Sequence, residues 1–317
     1  MSTSTATSSG LSTGEPSRGT ITFSLGAMLA IWSGNYVAGK LALRHIDPLS
    51  LVSFRIELAA ACMLAIYFSR ERAPLRRRDL WTFFGLGLFG VAINQGCFTV
   101  GLNYTTSSHA VILIALDPII VLLFASALKL ERFTTAKLVG MVISFAGVVL
   151  LETDRAAGQT SFHTGDLLTL GCVMGYSTYA VLGKRAATRA VGEHYDAVAV
   201  NTYMTVVAAI LYAPLAVRQG IALDWKSVGW VGWSGVIYMA VFASVISYTM
   251  FNWLLRHVDA SRVAGVNYLQ VPVVIVLAVS LLNERPSGHL LTGAALVVGG
   301  VYLAERHAAL FPVSPGG

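Results

Sequence analysis

Apolar residues run through this chain in long blocks, broken at short intervals by polar, Gly- or Pro-containing segments. A helix needs ~20 mostly apolar residues to cross a ~30 Å hydrocarbon core. Ten stretches fit that description: Ile21–Leu43, Leu49–Ser69, Leu80–Leu102, Ser107–Leu128, Thr134–Leu151, Gly165–Gly183, Tyr195–Val217, Val228–Leu254, Ser261–Leu282 and His289–Glu305. The connections are short, so neighbours in sequence should lie antiparallel in one bundle. The expected fold class is therefore an all-α integral membrane protein with ten transmembrane helices.

Composition supports the bilayer as solvent. Hydrophobic residues make up 55% of the chain, charged residues 12%, and the mean hydropathy is +0.67. A soluble protein needs roughly a quarter of its residues charged. The 30 glycines suit close helix packing in lipid. Cys62, Cys97 and Cys172 fall inside apolar stretches without metal-ligand spacing, so they read as free thiols, and no metal or cofactor is expected. The net charge of +6 lies in loops rather than on one patch, which argues against a nucleic-acid partner.

The basic loop residues also set an orientation. With the N-terminus cytoplasmic, fifteen Lys and Arg fall inside, among them Arg76, Arg77 and Arg78, which read as cytoplasmic anchors. Five fall outside: Arg44, Arg155, Arg218, Lys226 and Arg285. Both termini are then cytoplasmic. Residues 1–20, rich in Ser, Thr and Gly, read as a disordered tail and not a signal peptide; residues 307–317 form a second short tail.

The two halves resemble each other. Trp32-Ser33-Gly34-Asn35-Tyr36-Val37-Ala38-Gly39-Lys40 aligns with Tyr176-Ser177-Thr178-Tyr179-Ala180-Val181-Leu182-Gly183-Lys184. Ser107, Ala110 and Pro118 align with Ser261, Ala264 and Pro272 at a shift of 154, and Glu131-Arg132 with Glu284-Arg285 at a shift of 153. Gly140, Gly147 and Glu152 align with Gly293, Gly300 and Glu305. Five helices per half is an odd number, so the second half enters the membrane from the opposite side. The chain thus reads as two inverted five-helix repeats, residues 21–152 and 163–306, an architecture that places substrate sites near the midplane where the halves meet.

These motifs, in this order and duplicated, resemble the drug/metabolite transporter superfamily and specifically its EamA-type members. The resemblance covers Ile21 to Glu305. It implies a ten-helix carrier, commonly an exporter of amino acids or other metabolites in a bacterial inner membrane. Arg55 falls where such proteins often carry an Arg, whereas Asp117 before Pro118 is less typical of them.

Polar groups at membrane depth should face the bundle or a wet cavity. Trp32, Asn35, Tyr36 and Gly39 share one helical face, and Tyr176, Tyr179, Ala180 and Gly183 are their counterparts. Their rings could line a substrate cavity or anchor at the interface. Asn94, with Gln95 and Phe98, matches Tyr248, Thr249 and Asn252 in the other half; Asn267 and Gln270 lie one turn apart. Pro118 and Pro272 could act as gating hinges with freed carbonyls, or simply kink the helices for packing. Arg55 could bind a substrate carboxylate, pair structurally with Asp117 or with neighbours of Glu57, or snorkel outward. His109 and Asp117 are eight residues apart on one face, ~12 Å along the axis, and could form a proton relay. His109 at an outer water boundary with no special role is the plainer alternative.

The candidate substrate site is therefore Trp32, Asn35, Tyr36, Arg55, Asn94, Tyr176, Tyr179, Tyr248, Asn252, Asn267 and Gln270. The expected partners are the lipid bilayer and a small-molecule substrate. The function this implies is secondary transport of a small metabolite such as an amino acid, by alternating access, with or without proton coupling. A facilitator or channel is the alternative, but no charge ring or filter repeat is visible. No His-Glu-x-x-His or Gly-x-Ser-x-Gly motif suggests a membrane enzyme.

Overall fold

A computed structural model describes residues 16–70, 73–130, 135–153, 164–285 and 287–310. Most of both expected tails, and the Glu131-Arg132 pair, lie outside the described residues. The described chain is helical throughout: α1 (Arg18–Ala42), α2 (Pro48–Phe68), α3 (Arg77–Tyr104), α4 (Ser107–Ala127), α5 (Thr135–Thr153), α6 (Thr164–Ala187), α7 (Ala197–Ala222), α8 (Gly229–His257), α9 (Val266–Leu282, entered through a short turn at Ala260–Ala264) and α10 (Gly288–Leu310). Among them α1, α2, α3, α4, α7 and α8 are long and apolar enough to cross a membrane. Large apolar side chains cover the outside, and Trp81 and Trp230 are 82% and 81% exposed at the starts of α3 and α8. Tryptophans so placed suit the boundary between lipid and water.

Local chemistry fixes the helix ends, and it repeats. Asp47 caps α2 by accepting from the Leu49 and Ser50 amides at 3.1 and 3.0 Å, with Pro48 opening the first turn. Asp196 caps the matching α7 through the Ala199 amide at 2.7 Å. Beyond the ends of α4 and α9, Lys129 and Asn283 both adopt φ 57, at positions 154 apart. This left-handed residue stops each helix. Glu284, just after α9, reaches across to the start of α4, where its carboxylate accepts from the Ser107 and Ser108 amides at 2.8 and 3.1 Å.

The halves interleave. The first helix of each packs on the third and fourth helices of the other: α1 on α8 and α9, α6 on α3 and α4. The second helices pack together, as do the fifth, and matched residues touch. Asn94 meets Tyr248, and the Ser144 hydroxyl donates to the Val297 carbonyl at 3.1 Å, pairs separated by 154 and 153 residues. In the α5–α10 seam, a Cβ on Gly147 would sit 2.8 Å from the Gly293 carbonyl, and one on Gly300 would sit 2.6 Å from the Gly140 carbonyl. Only glycine permits that reciprocal approach.

Three helices depart from regular α geometry. α3 and α8 widen to π-helical turns at Leu88–Ile93 and Tyr238–Ile246, stretches that overlap under the repeat shift. Such turns re-aim side chains and often mark functional sites. α4 breaks between Ile114 and Asp117, where Pro118 cannot donate to the preceding turn. Pro272 instead sits within the helical run of α9, and the interruption there falls earlier, at Gly265.

Candidate functional site

Seven helices from both halves surround a central cavity of about 60 Å³, room for a few waters. α1 supplies Trp32, Asn35 and Tyr36; α2 supplies Arg55; α3 supplies Asn94, Gln95 and Phe98. From the break in α4 come Ile114 and Asp117, from α6 Cys172 and Tyr176, from α8 Ala243 and Tyr248, and from α9 Asn267 and Gln270.

The walls are aromatic and partly polar. Trp32 stands edge-on to Tyr176 and Tyr248, ring centres 6.1 Å apart in each case, and Tyr36 stands edge-on to Phe98 at 5.1 Å. The Trp32 indole N–H points to the Ala243 carbonyl in the π-helical turn of α8 at 3.5 Å. On the seam between α3 and α8, the Tyr248 hydroxyl donates to Asn94 Oδ1 at 2.7 Å, while Asn94 Nδ2 donates to the Cys172 carbonyl at 3.1 Å. Those bonds tie the two halves together at their junction.

An arginine and an aspartate face this space. Arg55 is 2% exposed. Its guanidinium donates to the Thr99 hydroxyl at 3.3 Å and to the Ser244 hydroxyl at 3.1 Å, and Nε has no partner among the described residues. No carboxylate among the described residues comes within 4.0 Å of it. Asp117 accepts from Asn267 Nδ2 at 2.7 Å through Oδ2, and Asn267 in turn accepts from Gln270 Nε2 at 2.6 Å. The Asp117 backbone carbonyl accepts from Ser177 at 3.3 Å, whereas its Oδ1 is buried without a partner among the described residues. Asn35 Oδ1 and the Tyr176 hydroxyl are likewise buried and unpartnered. Buried charge and unmet hydrogen-bonding groups are costly in a low-dielectric interior. Four such groups line this one cavity, an arrangement that suits a polar occupant.

The remaining expected residues lie elsewhere. Tyr179 and Asn252 stand behind the wall, bonded to each other at 3.0 Å, with Tyr179 stacked on Tyr248 and Phe251. They can support the lining without touching a solute in it. His109 lies near the N-terminal end of α4, 2.9 Å from Asp166 Oδ1, and is not part of the cavity lining. The α4 break separates it from Asp117. Pro118 opens the second segment of α4 directly beside Asp117, and Pro272 follows Gln270. The structure adds Gln95, Phe98, Ile114, Cys172 and Ala243 to the wall. Cys172 lies one turn before Tyr176, so extending that helical face by four residues finds it. Of the two residues that hold Arg55, Thr99 lies one turn after Gln95 and could be found the same way, whereas Ser244 gives no comparable signal, because it sits in a π-helical turn where the 3.6-residue period fails.

Comparisons with known proteins agree with a duplicated transporter. A solved crystal structure superposes with a TM-score of 0.69 at 23% identity, covering 92% of this chain and all of the other. An uncharacterized transporter of Archaeoglobus fulgidus is 27% identical over 292 residues, 89% of this chain and 97% of its own length. A protein of Escherichia coli (strain K12) named as a probable amino-acid metabolite efflux pump is 24% identical over 283 residues, 87% of this chain and 91% of that one. The family model described as EamA-like transporter family matches twice, at residues 18–153 and 163–305. With a helical membrane bundle, two matched halves and a polar cavity where they join, this chain belongs to the EamA-like transporter family and is a transporter, not an enzyme.

Proposed function

We propose that the chain is a ten-helix carrier that exports a small metabolite of the amino-acid class by alternating access about the central cavity. The unpaired guanidinium of Arg55 carries this reading. A planar fork without a carboxylate partner among the described residues, facing a buried space between two repeats, suits a solute carboxylate. The aromatic rings of Trp32, Tyr36, Tyr176 and Tyr248 suit the solute's apolar part, with Asn35, Asn94, Asn267 and Gln270 as polar contacts. Tyr179 and Asn252 back this wall. The E. coli relative's name supports the substrate class by similarity.

The surplus of basic residues in loops on one side supports an inner-membrane orientation with both termini cytoplasmic. The two repeats, 21–152 and 163–306, then run in opposite senses and rock about the seam that contains Asn94 and Tyr248. The α4 break at Pro118 and the matched Pro272 are the flexible points of that motion. In this reading Asp117 is the proton-coupling group, with His109 as an outer station.

Counterflow of radiolabelled L-amino acids in proteoliposomes tests the assignment. Arg55→Ala should lower the rate about tenfold or more for each amino acid transported, the loss expected when a charge-assisted pair is removed. An unchanged rate in a folded variant overturns the role of Arg55, and absence of flux for all twenty amino acids overturns the substrate class.

A further inference from the structure

Both charged groups of the cavity are unusual in the same way. Among the described residues Arg55 is a cation with no anion paired to it, and Asp117 is an acid with no cation paired to it, yet the two line one small space without forming an ion pair. Direct pairing would be the least costly arrangement for two buried charges. Instead, hydroxyls of Thr99 and Ser244 hold Arg55 from one side, and the Gln270–Asn267 relay holds Asp117 from another.

The spare atoms sort by kind. On Asp117 the spare atom is an acceptor, Oδ1; on Asn35 it is again an acceptor, Oδ1; on Arg55 it is a donor, Nε. Asn35 is 7% exposed and Asp117 2% exposed, so bulk water does not reach either freely. The Tyr176 hydroxyl is spare as well and can donate or accept, but the Asp117 and Asn35 oxygens only accept, and one of them belongs to a carboxylate; that pair suits a ligand group that donates and carries positive charge. A primary ammonium, with three N–H bonds and no acceptor, has that chemistry.

We propose that Asp117, assisted by Asn35, binds the ammonium of the transported solute, so that Asp117 and Arg55 together select zwitterions over singly charged molecules. This rests on the amino-acid reading of the cavity given above, and adds to it which residue reads the second charge. The Asn267–Gln270 pair is then a positioning element: by donating to Oδ2 it fixes the carboxylate with Oδ1 left for the ligand.

Thermal stabilisation of the purified full-length protein tests this, because a ligand of the folded state raises the melting temperature. The probes are the twenty L-amino acids, each beside its des-amino carboxylate and its decarboxylated amine. The wild type should bind at least one amino acid about tenfold or more tighter than either singly charged analogue. Asp117→Asn, which keeps shape and removes charge, should weaken that amino acid about tenfold while leaving its des-amino analogue within about twofold. Arg55→Gln should do the converse, sparing the amine.

Equal affinity of wild type for an amino acid and its des-amino analogue overturns the proposal and leaves Arg55 and the carrier reading intact. The proposal also falls if Asp117→Asn binds the amino acid as wild type does and loses only accumulation driven by a pH gradient; Asp117 would then carry a proton and not the solute. If no amino acid stabilises the wild type, the substrate class and this proposal fall together.

Discussion

Glu284 shows how much one side chain can do at a helix end. Its two carboxylate oxygens take the Ser107 amide, the Ser108 amide and the Ser108 hydroxyl, the last at 2.7 Å. The first amides of a helix have no partner within it, and they carry the positive end of the helix dipole. Because Glu284 follows α9 and α4 belongs to the first half, this cap also ties the two halves at one end of the cavity's surrounding helices. Glu284→Ala should lower stability by about 1–2 kcal/mol, with Glu284→Gln in between, read from thermal unfolding in detergent. A variant as stable as the parent would mean that water replaces the cap at no cost. Asp117 and Arg55 lie at the other extreme of residue behaviour: their neighbours restrain them but do not neutralise them, which is why their replacement should register in ligand affinity.

At the scale of elements, much was legible in the sequence, for physical reasons. Long apolar runs and the i, i+3, i+4 spacing of Trp32, Asn35 and Tyr36 follow from helix geometry alone, and all three line the cavity. The same rule failed one turn on from Tyr176, since Tyr179 is held behind the wall by its bond to Asn252 and its stacking on Tyr248 and Phe251. Pro118 coincides with a real break, whereas Pro272 does not, because a proline's effect depends on whether neighbouring helices resupply the lost contacts. The π-helical turns of α3 and α8 have no sequence signature that distinguishes them from α-helix. The paired glycines of α5 and α10 allow a sharper test. A Cβ on Gly300 would lie 2.6–2.7 Å from the Gly140 carbonyl and from Ser144, while one on neighbouring Gly299 would have nothing within 4 Å. Gly300→Ala should cost about 1–3 kcal/mol by forcing the seam apart. Gly299→Ala should leave the melting temperature the same or higher, since alanine favours helix. Equal effects of the two would show that the seam is not closely packed.

For the whole molecule, the question is which contacts must part for a solute to pass. A cavity of about 60 Å³ is far below the few hundred cubic ångströms usual for a small-molecule site, so a solute of that size needs some of the surrounding contacts to part. The interleaving of the halves indicates where it opens. α1 meets α8 along a seam where a Cβ on Gly235 would lie 2.6 Å from the Ala42 Cβ, and the repeat-related seam between α6 and α3 brings Leu182 within 3.7 Å of a Cβ on Gly85. Each seam joins one half to the other, and under the inverted-repeat reading the two lie toward opposite faces of the membrane. If the halves rock, one seam opens while the other stays shut, and locking either should arrest the cycle. Ala42→Cys with Gly235→Cys, in a background lacking Cys62, Cys97 and Cys172, needs the backbones to separate by only about 1 Å to reach the Cβ spacing of a disulfide. Under the alternating-access proposal, oxidation should stop amino-acid counterflow in proteoliposomes and reduction should restore it, because the cross-link removes one of the two states. Full cross-linking with undiminished counterflow would place the moving contacts elsewhere. The α5–α10 seam, which contributes no residue to the cavity lining, would then be the next pair to lock.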